Sequence, residues 1–78
     1  MREAYDAIGL GRAIRALRNA RGWTQATLAQ WLDVSRPTVI ALERGGPVSL
    51  VVAMKAIALL GGKIVVTSKD AIVSENER

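Results

Sequence analysis

Apolar residues recur at helical spacing in four successive segments, and small polar residues or glycines mark the ends of those segments. In the first, Leu10, Ile14 and Leu17 fall at i, i+4 and i+7, with Ala13 and Ala20 beside the stripe. This predicts an amphipathic helix from about Ile8 to Ala20, with Arg12, Arg15 and Arg18 off the apolar seam. Arg21-Gly22 ends it with a cation followed by a glycine. Thr24 is a good N-cap for a second helix, and Trp23 and Leu28 occupy the two positions of a hydrophobic staple. Leu28, Ala29 and Leu32 point inward, and the helix stops near Asp33. Only Val34 then precedes the next N-cap, Ser35. The third helix has Pro37 in its first turn, where a missing N–H costs nothing, and ends at Gly45-Gly46. Val39 and Leu42 form its inner face.

The fourth segment follows Ser49 and runs from Leu50 to about Leu60, closed by Gly61-Gly62. It is apolar nearly all round. Leu50, Ala53, Met54, Ile57 and Leu60 make one face and Val52, Ala56 and Leu59 a second, leaving Val51, Lys55 and Ala58 for solvent. The expectation is that the first face covers the chain's own core and the second meets another copy. After it, "KIVVTS" (Lys63 to Ser68) is a β-branched run and reads as the only strand. A lone strand cannot satisfy its own backbone, so antiparallel pairing with a second copy through Ile64, Val65 and Val66 is expected. From Asp70 the chain is polar and acidic and reads as a fraying tail. The organisation predicted is a helical domain over residues 1–62, a dimerisation strand over 63–69 and a flexible polar tail over 70–78.

Length adds a constraint. Seventy-eight residues suffice for one domain with a marginal core, which self-association commonly reinforces. Half of the residues are hydrophobic, too many for a disordered regulator. With neither cysteine nor histidine, the chain has no disulfide and no thiolate or imidazole metal ligand, and no cofactor is expected. The run from Val48 to Leu60 is interrupted by Ser49 and Lys55 and is too short to cross a bilayer. The first six residues carry acids and no apolar signal-peptide core, so the expected location is the cytoplasm, with no membrane partner. No base–nucleophile pairing is visible, and "GLGRA" and "RGG" lack the preceding strand of a phosphate loop, so no enzyme is expected.

Charge sharpens the picture. The net charge is +4 and the isoelectric point about 10.4, the electrostatic footprint of a nucleic-acid binder. Up to Arg44 there are seven arginines against four acids, so the basic excess lies in the front of the chain.

Two helices joined by a tight turn, the second opening on small polar and cationic residues, make a helix-turn-helix pattern. In that geometry the first helix lays its N-terminus on phosphate and the second enters the major groove of double-stranded DNA. The candidate contacts are Gln25 to phosphate, and Ser35, Arg36 and Thr38 at the head of the recognition helix. Pro37 both starts that helix and can touch a thymine methyl. Ile40 and Ala41 offer apolar contacts on the outward face, and Arg44 is either a phosphate contact or a solvated charge. Trp31 reads as packing beside Leu28 and Leu32.

Gln25, Ala29, Val34, Ser35, Thr38, Val39, Leu42 and Glu43 resemble, in type and spacing, the Cro/cI-type (XRE) helix-turn-helix regulators over about Leu10 to Leu60. Asp33 departs from that pattern, which usually has glycine at this turn. The resemblance implies a mostly α fold of four to five helices, with one short C-terminal strand pairing across a dimer. It also places Arg18 opposite Glu43 as a buried structural pair rather than a DNA contact. "GWTQATLA", the glycine-terminated fourth helix, the strand and the tail look most like HipB-type antitoxins. That likeness implies a repressor of its own operon, a homodimer on a palindromic operator, and a kinase-like toxin as partner. The alternatives are a stand-alone phage-like repressor and a helix-turn-helix interaction module that no longer reads DNA.

Overall fold

The computed structural model describes residues 2–4, 6–66 and 71–75, with side chains described over 6–64. The order is β1 (Arg2–Ala4), α1 (Ala7–Ala20), α2 (Gln25–Leu32), α3 (Arg36–Arg44), α4 (Leu50–Leu59), β2 (Gly62–Val66) and β3 (Ala71–Glu75). Each helix begins where a short oxygen-bearing side chain takes up a free amide. Asp6 accepts from the N–H of Gly9, Thr24 from Thr27, Ser35 from Thr38 and Ser49 from Val52. Glycine or aspartate ends them. Asp33 (φ 57°) closes α2, and Gly45 (φ 80°) closes α3 in the left-handed region that glycine adopts without a Cβ penalty. Gly45 is constrained a second way, because a Cβ there would press on the backbone of Ala7 and Ile8.

The core is a single cluster. Ala13, Ile14 and Leu17 of α1 meet Leu28, Ala29 and Leu32 of α2, Val39 and Leu42 of α3, and Ala53, Ala56, Ile57 and Leu60 at α4. The orientation of α4 differs from the sequence expectation. Ala56, assigned above to a partner-facing surface, is fully buried, and Val52 and Leu59 pack half-buried against the core. Leu50 and Met54, assigned above to the core, are instead 69% and 51% exposed, with Val51 at 60%. Periodicity cannot orient a helix that is apolar all round, because any face satisfies the pattern.

The strand expectation is also corrected. β2 is not alone: β3 pairs with it antiparallel, Ile64 opposite Val73 and Val65 opposite Ile72. β1 pairs antiparallel with the other edge of β3, giving the order β1-β3-β2. Ile64, Val65 and Val66 therefore have a backbone partner within their own chain, and residues 71–75 of the expected polar tail form a strand. Ile72 and Val73 supply the β-branched centre of that strand, too short a run to stand out between polar neighbours.

Candidate nucleic-acid interface

Three residues, Asp33, Val34 and Ser35, separate α2 from α3. The left-handed Asp33 reverses the chain, and the N–H of Val34 returns to the carbonyl of Ala29 at 3.0 Å. Both helices then open with the same clasp. Thr24 Oγ1 accepts from the Thr27 amide at 3.0 Å and bonds the Thr27 hydroxyl at 3.0 Å. Ser35 Oγ accepts from the Thr38 amide at 3.3 Å and lies 2.9 Å from the Thr38 hydroxyl.

The two clasps leave different things free. In α2 the amides of Gln25 and Ala26 precede the capped one and have no helical acceptor, while neither helix has an acid in its first turn. An uncompensated helix dipole with free amides favours an anion. In α3 the second position is Pro37, which has no N–H, so the backbone there offers little. What α3 offers is side chains: Ser35, Arg36 and Pro37 are exposed, and Thr38, Ile40 and Ala41 are half-buried.

A buried ionic network holds α3 in place. Arg18 and Glu43 are only 8% and 6% exposed. Arg18 Nε donates to Glu43 Oε2 at 2.6 Å and Nη2 to Oε1 at 3.0 Å, a bidentate pairing. Its Nη1 donates to the carbonyl of Trp23 at 2.8 Å, just ahead of α2. Below this, α1 touches α3 at Gly11, whose missing side chain admits the carbonyls of Leu42 and Glu43. Among the described residues, Arg18–Glu43 is the one ion pair.

Comparison with known proteins agrees with this geometry. The family described as "Helix-turn-helix domain" matches residues 9–70. The chain belongs to that family. The helix-turn-helix domain is also similar to a solved structure, the restriction-modification controller protein C.AhdI from Aeromonas hydrophila. Identity is 31%, the match covers 69% of this chain and 82% of that one, and the TM-score is 0.61. Among curated proteins none matches.

Within this helix-turn-helix domain the sequence-predicted contacts divide by position. Arg36 and Arg44 lie at opposite ends of α3 and both are exposed. Gln25, assigned above to phosphate, is half-buried, and its Nε2 donates to Glu43 Oε1 at 3.2 Å. Sequence reasoning missed that bond, because spacing alone gives no sign that residues 25 and 43 meet. It also missed Leu50 and Met54 as surface residues, while Val51 is exposed as expected. Trp31, read as packing, is 64% exposed and stacks on Trp23 with ring centroids 6.2 Å apart. Among the described residues no helix is long and apolar enough to cross a membrane.

Proposed function

We propose that this protein is a DNA-binding transcriptional regulator that acts as a homodimer on a palindromic operator. The observation that carries the reading is the exposed head of α3, where Ser35, Arg36 and Pro37 project from a helix locked by a buried ion pair. A helix that only completed a core would have no use for that arrangement. Arg36 reads base edges, Arg44 meets phosphate, and Ser35, Thr38, Ile40 and Ala41 shape the fit to the groove. Similarity to a restriction-modification controller supports a stand-alone regulator over the antitoxin reading, and no observation here points to a toxin.

Dimerisation rests on α4. Leu50, Val51, Met54 and Ala58 form an exposed apolar stripe in place of the Val52–Ala56–Leu59 face, and among the described residues β2 is an edge strand of its sheet. A two-fold axis there would set two recognition helices about 34 Å apart, one turn of DNA. The test is fluorescence anisotropy on duplexes selected from a random pool. Arg36→Ala should lose about 1–3 kcal/mol on the selected site and relax preference at one base position. Arg44→Ala should weaken all duplexes alike and reduce the salt slope. If neither changes affinity, the DNA reading is wrong.

A further inference from the structure

Glu43 does more than pair with Arg18. Its Oε1 accepts two hydrogen bonds, from Arg18 Nη2 at 3.0 Å and from Gln25 Nε2 at 3.2 Å. Those three residues stand on three different helices, α1, α3 and α2. Among the described residues no buried side-chain nitrogen or oxygen lacks a partner, and Glu43 Oε1 has the Arg18 bond as well as the one from Gln25. A carboxylate can only accept, which decides how the Gln25 amide faces: Nε2 toward Glu43, with its second hydrogen left over.

We propose that Glu43 is a positioning residue for DNA-backbone binding, holding the Gln25 amide so that its remaining N–H serves a phosphate oxygen. This rests on the DNA-binding reading above. Gln25 is the first residue of α2, so that N–H belongs to the same turn as the free backbone amides of Gln25 and Ala26. A phosphate takes donors only. An unguided glutamine would present its oxygen as readily as its nitrogen, and the oxygen would repel the anion. The anchor matters as much as the orientation. Because Glu43 is carried by the recognition helix and clamped by Arg18 from α1, the phosphate contact of α2 is held in register with the groove contacts of α3.

The experiment is an anisotropy titration of the full chain on two labelled duplexes of unrelated mixed sequence, with a thermal melt of every variant. Gln25→Ala should weaken both duplexes equally, by about tenfold, the worth of one hydrogen bond to a charged group. Gln25→Asn, which keeps the amide but cannot span from Glu43 to the phosphate, should lose as much. Glu43→Gln should lose several-fold on its own and nothing further once Gln25 is already Ala, although its melting temperature falls in both backgrounds. A binding loss that vanishes in the Gln25→Ala background while the stability loss persists is what a purely structural Glu43 would not produce. Gln25→Asn keeps the test open even where Glu43→Gln melts below the assay temperature. Gln25 variants that bind like the parent while Arg44→Ala still weakens both duplexes would overturn the positioning role alone. If Arg44→Ala is silent here and Arg36→Ala is silent on the selected duplex as well, the DNA reading falls with it.

Discussion

Gly11→Ala is the sharpest test of how the recognition helix is held. In the interior of an exposed helix, alanine in place of glycine is favourable by about 1 kcal/mol. Here the new Cβ would stand 2.6 Å from the carbonyl oxygen of Glu43 and closer still to that of Leu42. Ordinary carbon–oxygen contact begins at about 3.3 Å, so α1 and α3 would have to part by at least roughly 0.7 Å to clear Glu43, and by more to clear Leu42. Both obstacles are backbone atoms and cannot swing aside. Forcing extra volume into a packed contact costs about 1–3 kcal/mol, occasionally more. The same separation also stretches the Arg18–Glu43 bonds, which now span 2.6 and 3.0 Å. Steric cost should therefore outweigh helix propensity, for a net loss of roughly 1–2 kcal/mol. In a domain of this size each kcal/mol shifts Tm by about 4–8 °C, so circular dichroism should record a fall of roughly 5–15 °C. DNA affinity should fall as well, since the proposed contacts lie on α3. A Tm equal to or above the parent's would refute the argument and show that the crossing is looser than the geometry states.

Further expectations concern other joints of the structure. Truncating either Arg18 or Glu43 to Ala leaves a buried unpaired charge and should cost about 3–5 kcal/mol in chemical denaturation, with strong coupling in a double-mutant cycle. Additive effects would show the pair to be energetically idle. Asp33→Gly relieves a non-glycine residue at φ 57° and should raise stability by up to about 1 kcal/mol. A lower Tm would refute the strain argument at this turn. Met54→Lys, at an exposed position of α4, should leave the helical signal unchanged while shifting sedimentation toward monomer. A parent already monomeric at tens of micromolar would overturn the proposed dimer, and a variant that still dimerises would place its interface off this face of α4.

Much of the motif could be read directly because its signals are local. Thr24, Ser35 and Ser49 each cap the helix they precede, and Gly45 closes α3. Such capping depends on residues three or four apart, within reach of sequence spacing. What could not be read is set by distant partners. The face of α4 is chosen by what α1 and α2 leave uncovered, and Ala56 against Met54 is a choice its own sequence does not encode. β1 carries no β-branched residue and β3 only two, and β3 is a strand because β2 pairs on one side of it and β1 on the other. The Gln25–Glu43 bond has the same origin, joining residues eighteen apart through the packing of two helices.

The stacked indoles of Trp23 and Trp31 give the domain an internal optical gauge. They are its only two tryptophans, and they bracket α2, one just before its cap and one in its last turn. With centroids 6.2 Å apart and planes within 19° of parallel, the rings are close enough to couple electronically, so native protein should show a near-ultraviolet dichroic couplet. Trp31 is open to an aqueous quencher while Trp23 is half-shielded, so iodide should extinguish the emission in two stages. Fraying of α2 would separate the rings and erase the couplet while the amide signal of the other helices persisted. Coincidence of the two melting curves would then mean that the first helix of the motif and the rest of the domain come apart in a single cooperative step.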